Sequence, residues 1–175
     1  MTSIFSHRDQ PPFQSKNYQR YRPYIREDFC YCCAHCLMPE HLAAGERNFH
    51  LDHFKPKSHF PELRFEYSNL YYSCSVCNQN KGAKWPSSKL QEKGYRFIDT
   101  CIENFSSHFS EEDGKLVPLT PAAEYTQERL RLNSKHLVEL RQMIKWLIYQ
   151  LSETPLNWDE PLHSQVKPIF ENGSQ

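Results

Sequence analysis

Two pairs of cysteines constrain this chain more than any other feature of its sequence. Each pair has the spacing C-x2-C, in which a single tight turn directs both thiolates at one metal ion. The pairs are Cys33 with Cys36 and Cys74 with Cys77, and residues 37–73 separate them. That separation exceeds the roughly 15–20 residues of a compact zinc ribbon. A separate folding unit is therefore expected between two knuckles that share one zinc ion.

The zinc predicted at these four thiolates is structural, because four sulfur ligands fill its tetrahedral shell and leave no position for water. Two alternatives stay open at this point. Cys30 also has C-x2-C spacing with Cys33, and the cysteines could instead be scattered buried thiols. Cys101 stands apart from the pairs and is predicted to be a core thiol.

Composition and charge bear on location and partners. The first ten residues contain no apolar leader, and the longest apolar run, Trp146–Tyr149, is too short to cross a membrane. We therefore expect a cytoplasmic protein without membrane contact, in which paired cysteines bind metal more often than they form disulfides. Residues 46–98 hold nine Lys or Arg against five Asp or Glu, whereas residues 99–175 hold seven against twelve. A phosphate-binding face in the middle is one interpretation, and ordinary surface variation is the other.

The chain is interpreted as an α+β protein in four parts. These are a loose arm at 1–20, a zinc-bound core at 21–98, a helical part at 99–155 packed on that core, and an irregular tail at 156–175.

Local patterns predict the elements of the core and of the helical part. Alternation after Phe49 predicts a strand, Leu70-Tyr71-Tyr72 predicts a second, and residues 74–84 predict a helix that Trp85-Pro86 ends. Further along, Thr120 followed by Pro121 predicts a helix start, and Asn133 is expected to cap a second helix. The second helix has one apolar stripe, formed by Leu137, Leu140, Ile144, Leu147 and Leu151.

Residues around the second knuckle carry a resemblance to a known family. Asp52-His53 and Asn69 lie between the knuckles, and Asn78, Lys81 and Gly82 follow the second one. Together with the cysteines they resemble the motif of the HNH, or ββα-metal, nucleases. The resemblance implies a zinc-stapled, treble-clef-like finger that hydrolyses phosphodiester bonds.

The flanks are similar to a narrower group, the PtuB-type HNH effectors of Septu and retron anti-phage systems. The similarity spans roughly residues 24–150 and includes Phe97-Ile98-Asp99, Leu132-Asn133, Leu137 and Arg141. It implies a defence role, DNA in preference to RNA as substrate, and an ATPase as partner protein. Two positions depart from the usual pattern, since Asp52 replaces a Glu and Asn78 replaces a His.

Phosphodiester hydrolysis assigns a chemical role to each motif residue. His53 can accept a proton from water, because imidazole titrates near neutrality. The oxygens of Asp52 and Asn78 suit a catalytic Mg²⁺ or Mn²⁺ ion, and Asp52-His53 is expected at a strand end, where both side chains can serve one site. Asn69 corresponds to the middle Asn of the motif, which implies that it holds the loop and positions His53.

Several basic residues near the motif are weaker candidates. Lys55, Lys57, Lys81 and Lys84 are predicted phosphate contacts, with solvated surface as the alternative. His50 is interpreted as a surface residue, with a metal or phosphate contact as the alternative.

Two other functions compete with a nuclease. A non-catalytic zinc-binding interaction module would leave the adjacent acid and base unexplained. A zinc deaminase needs H-x-E and P-C-x-x-C, whereas this chain has Asp52 in place of the Glu and Ser73 in place of the Pro.

Overall fold

A computed structural model describes residues 3–152 and Asn157. It shows a mixed fold of short helices and two small antiparallel sheets, as the α+β prediction required. The strands are β1 (Phe49–His53), β2 (Leu70–Cys74), β3 (Phe109–Glu112) and β4 (Lys115–Pro118). The helices are α1 (Arg22–Asp28), α2 (Ser75–Lys81), α3 (Ser88–Gln91), α4 (Pro121–Leu130) and α5 (Lys135–Ser152). Among the described residues, no helix is both long enough and apolar enough to cross a membrane.

The first sheet and the helix that follows it form the ββα unit that the motif predicted. β1 pairs with β2 in antiparallel register, with Phe49 opposite Cys74 and Asp52 opposite Tyr71. α2 begins directly after β2, and the Cys74 sulfur accepts a hydrogen bond from the backbone N–H of Cys77. The helix ends at Lys81, and Gly82 caps it with a positive φ of 49°, which glycine adopts without strain.

The second sheet lies within the part at 99–155 that was predicted to be helical, and its two strands were not predicted. β3 and β4 form a hairpin with a two-residue turn at Asp113-Gly114, where both residues have positive φ. A side chain at position 114 would meet α5, because a Cβ there would lie 2.7 Å from the carbonyl oxygen of Val138. The sequences of β3 and β4, Phe-Ser-Glu-Glu and Lys-Leu-Val-Pro, lack the apolar–polar alternation by which β1 was predicted.

The two long helices lie close to where their patterns placed them. Thr120 caps α4 as predicted, since its hydroxyl accepts a hydrogen bond from the N–H of Ala123. The predicted cap of α5 is wrong: the Asn133 side-chain oxygen accepts from the N–H of Leu116, and the helix begins at Lys135.

The stripe of α5 faces the core at Leu137 and Ile144, which are buried, and Ile148 joins them. Leu140 and Leu147 are half-buried. The side chain of Leu151 and the predicted tail, apart from Asn157, lie outside the described residues.

The N-terminal segment corrects the expectation of a loose arm. Residues 3–17 have no helix or strand, yet the segment is anchored to the core. The ring of Phe5 is 2% exposed, and its N–H donates to the carbonyl of Thr100 at 3.2 Å. Arg8 forms an ion pair with Asp28 at 2.8 Å. Two neighbouring apolar residues, Ile4 and Phe5, are buried and anchor a segment that shows no periodicity.

Candidate active site

The four knuckle cysteines converge on one buried point. Their sulfur atoms all lie within 4.8 Å of one another, and the sulfurs of Cys36 and Cys74 are 3.8 Å apart. Zinc–sulfur bonds of about 2.3 Å in a tetrahedron require sulfur separations of about 3.8 Å. The cluster could therefore hold a metal ion of zinc's size. Cys30 lies outside it, which resolves the choice that the spacing left open.

The protonation of the cluster also favours a cation. Burial alone would raise the pKa of Cys33, but hydrogen bonds with the other three cysteines hold that pKa well below its usual value. Hydrogen bonds with Cys33 and Cys74 raise the pKa of Cys36 well above its usual value, and burial adds to that rise. The pKa of Cys77 is raised in the same direction by hydrogen bonds with the other three cysteines and by burial. Cys36 and Cys77 therefore resist ionisation unless a cation is present. A divalent cation would allow all four sulfurs to ionise.

A cleft of about 380 Å³ brings the main motif residues together. Asp52, His53 and Asn78 line it, with Tyr18 and Lys57 on its walls. Asp52 and His53 are the last two residues of β1, and Asn78 lies on α2, so the ββα unit places all three. The strand-end position expected for Asp52 and His53 is confirmed.

Asp52 is held by two protein groups that were not predicted. One carboxylate oxygen lies 3.0 Å from the ammonium nitrogen of Lys81, and the other lies 3.0 Å from Nε2 of His35. All three side chains are buried. A carboxylate has about four lone-pair directions, so one donor on each oxygen leaves capacity for an ion in the cleft.

The imidazole of His53 is fixed through one of its nitrogens. Nε2 lies 2.9 Å from the carbonyl oxygen of Arg64, and the Tyr18 ring meets the imidazole edge-on at 4.8 Å between centroids. Because a carbonyl oxygen only accepts, Nε2 carries the proton and Nδ1 is the basic nitrogen. Burial lowers the pKa of His53 from its ordinary 6.5, and the positive charge of Lys57 lowers it further, while the Arg64 bond opposes both.

Asn69 holds the long loop between β1 and β2. Its side-chain oxygen accepts from the N–H of Lys55, and its amide nitrogen donates to the carbonyls of Lys55 and Leu63. Leu63 precedes Arg64, the residue that bonds the His53 ring. The Asn69 side chain therefore holds both ends of residues 55–63, next to the Arg64 carbonyl that bonds the His53 ring. This arrangement fits the loop-holding role that the motif implies for Asn69.

The basic residues near the cleft divide into two groups. Lys55, Lys57 and Lys84 are exposed, so all three are accessible to phosphate. Lys81 is fully buried, with its ammonium 2.6 Å from the carbonyl of His53. The prediction that Lys81 contacts phosphate is therefore wrong, since its ammonium is buried and bonded to Asp52 and to the carbonyl of His53.

His50 lies on the exposed side of β1, as interpreted from the sequence. Its Nε2 is 3.0 Å from the hydroxyl of Ser75. It is not among the residues that line the cleft.

Comparison with known proteins identifies the segment that carries this geometry. Residues 33–84 match the family model of the HNH endonucleases. The match begins at the first knuckle and ends beyond α2, so the four cysteines and all the motif residues of the cleft lie inside the HNH segment. No curated protein matches the chain.

Proposed function

We propose that this protein is a metal-dependent HNH endonuclease that hydrolyses phosphodiester bonds of nucleic acid. The observation that carries the proposal is the convergence of Asp52, His53 and Asn78 on one cleft within the HNH segment. The cleft offers a base and two oxygen ligands side by side, which is what hydrolysis of a phosphodiester requires of the protein.

His53 is the proposed general base. The bond from Nε2 to the Arg64 carbonyl fixes the tautomer and leaves Nδ1 to accept a proton from the attacking water. Its lowered pKa keeps the imidazole neutral at neutral pH. A neutral imidazole can accept a proton from water directly.

Asp52 and Asn78 are the proposed ligands of the catalytic ion. Carboxylate and amide oxygens are hard donors that suit Mg²⁺ or Mn²⁺, and the cleft has room for the waters that such ions retain. When bound, the ion supplies Lewis-acid activation of the phosphate and stabilises the leaving oxygen. The cysteine cluster is proposed to hold Zn²⁺ as a structural ion, stapling a treble-clef-like finger.

The substrate and partner proposals rest on charge and on the resemblance of the flanks. Exposed Lys55 and Lys57 adjoin the cleft and are proposed to contact phosphate. DNA is the proposed substrate, and the similarity to PtuB-type effectors supports a cytoplasmic role in anti-phage defence beside an ATPase partner. The formal net charge of the chain is zero, and residues 46–98 carry only a modest excess of Lys and Arg. A partner that delivers the substrate is therefore physically reasonable.

The test of the nuclease proposal is direct. Purified zinc-loaded protein is incubated with plasmid DNA, single-stranded DNA and RNA, in Mg²⁺, Mn²⁺ or EDTA. Cleavage of at least one substrate with Mg²⁺ or Mn²⁺, and none in EDTA, is the expected result. Folded, zinc-loaded protein that cleaves none of the three would favour the interaction module instead.

The ligand role of Asn78 has a matched control on the same helix. Asn78→Ala should raise the Mg²⁺ concentration needed for half-maximal cleavage, with zinc content unchanged. Gln79→Ala removes an exposed neighbouring amide and should leave that concentration as it is. Equal Mg²⁺ dependence in the two variants would exclude Asn78 as a ligand.

A further inference from the structure

His35 connects the first knuckle to the active-site carboxylate. It lies between Cys33 and Cys36 in sequence, and only 3% of it is exposed. Its Nε2 reaches Oδ2 of Asp52 at 3.0 Å, across 17 residues of chain. Packing alone would not require a hydrogen bond between this buried imidazole and the carboxylate of Asp52.

The backbone next to His35 is fixed by two hydrogen bonds of the preceding residue, Ala34. The N–H of Ala34 donates to the carbonyl of Tyr72 at 2.7 Å, which ties the knuckle to β2. The hydroxyl of Thr100 donates to the carbonyl of Ala34 at 3.0 Å. These bonds fix the backbone that carries the His35 imidazole relative to β2, the strand that pairs with β1.

The direction of the hydrogen bond follows from the other partner of Asp52. Lys81 donates to Oδ1, and a carboxylate paired with a buried ammonium accepts hydrogen bonds at both of its oxygens. Nε2 of His35 is then the donor to Oδ2. Two donors from opposite sides set the rotation of the carboxylate before any ion or phosphate enters the cleft, and a preset ligand binds its ion more tightly than a mobile one.

We propose that His35 is a positioning residue for Asp52, which it orients for the divalent ion in the cleft. The proposal rests on the proposed function in that it takes Asp52 as a ligand of the catalytic ion. It adds that the first knuckle contributes a side chain to the active site, as well as two sulfur atoms to the cysteine cluster.

The experiment compares two substitutions of similar shape. His35→Gln keeps an N–H donor at the end of the side chain, whereas His35→Met has a comparable length and no donor. Mn²⁺ binding to the zinc-loaded proteins is measured by calorimetry or electron paramagnetic resonance, so the readout does not depend on cleavage. Loss of a residue that orients a ligand weakens metal binding by roughly 10–100-fold, which is the loss expected for Met. Gln should remain close to the wild type, and zinc content should be equal in all three proteins.

Three results would overturn the proposal. One is wild-type Mn²⁺ affinity in His35→Met at unchanged zinc content, which would leave His35 a purely structural role. Another is equal weakening in the Gln and Met variants, since the donor would then not matter. The third is wild-type protein that binds no Mn²⁺, which would also remove the proposed catalytic ion.

The outcome is separable from that of the nuclease proposal. Wild-type protein whose Mn²⁺ binding depends on His35 as proposed, but which cleaves no nucleic acid, would contradict the nuclease proposal alone. If both variants failed to fold, nitrogen-15 spectra of the wild-type imidazoles would decide the matter. The proposal requires a proton on Nε2 of His35 that exchanges slowly with water, and an unprotonated Nε2 would refute it.

Discussion

The ammonium nitrogen of Lys81 lies 3.0 Å from a carboxylate oxygen of Asp52, and both side chains are buried. Burial lowers the pKa of Lys81, and the neighbouring Asp52 carboxylate opposes that shift. The pair joins the end of α2 to the end of β1, the two elements that carry the cleft. Lys81 therefore acts inside the ββα unit, where it supports the carboxylate.

Lys81→Met should destabilise the protein strongly. Removal of one member of a buried ion pair leaves the other charge uncompensated, at a cost of about 3–5 kcal/mol. Chemical denaturation of the zinc-loaded protein measures this change in the free energy of unfolding. The control is Lys84→Met, an exposed lysine three residues on, for which a change within about 0.5 kcal/mol is expected. Similar values for the two variants would mean that Asp52 does not depend on Lys81.

Zinc should be lost on substitution of a knuckle cysteine and retained on substitution of Cys30. Cys74→Ser removes a sulfur of the cluster, whereas Cys30 lies outside it despite its C-x2-C spacing with Cys33. Structural zinc contributes on the order of 10 kcal/mol to small domains, so the Cys74 variant should unfold in the region of the knuckles. Elemental analysis and thermal melting check both variants. Full zinc content in Cys74→Ser, or loss in Cys30→Ser, would contradict the assignment.

His53→Ala should fold and retain zinc but cleave roughly 10²–10⁴-fold more slowly, because loss of a general base typically has that effect. His59→Ala, an exposed histidine of the same loop, should cleave at the wild-type rate. In the wild type, the rate should fall as the pH drops through the pKa of His53, since protonated imidazole cannot accept a proton. That pKa lies below 6.5, so the rate should already be level at neutral pH. A wild-type rate in folded His53→Ala would refute the mechanism.

Glu103 should make stability depend on pH in the acid range. Burial alone would raise its pKa, but Arg96 at 2.5 Å and the N–H of Asp99 hold the pKa below the ordinary 4.5. A carboxyl with a lowered folded pKa stabilises the protein above its unfolded pKa, and that stability is lost as the pH falls through the folded value. Glu103→Gln should therefore flatten the loss of unfolding free energy below about pH 4.5. The exposed Glu92→Gln is the control, and an unchanged acid profile in Glu103→Gln would contradict the prediction.

The local parts of this architecture could be predicted because their causes are local. A C-x2-C spacing forces two thiolates toward one point, and Thr120-Pro121 both caps a helix and fixes its first turn. The turn of the second hairpin also had a local indication, since Asp113-Gly114 favours the positive φ values of a two-residue turn.

The partners of Asp52 could not be predicted, because they depend on contacts between distant residues. Lys81 follows a run of polar residues that is typical of a solvated helix end, yet its partner lies 29 residues away. His35 lies between two cysteines, where a role at zinc would be the first expectation. Only the pairing of β1 with β2, and the packing of the knuckle against β2, brings these side chains to the carboxylate.

The edge-on contact of Tyr18 with His53 affects how a minimal active fragment could be cut from this chain. Residues 33–84 hold the motif, but Tyr18 precedes them, and its hydroxyl lies 3.4 Å from the ammonium of Lys57. Excision at residue 33 would strip one wall from the cleft and open the imidazole to bulk water. A fragment that keeps this wall must therefore begin before Tyr18, upstream of the segment that matches the HNH family model.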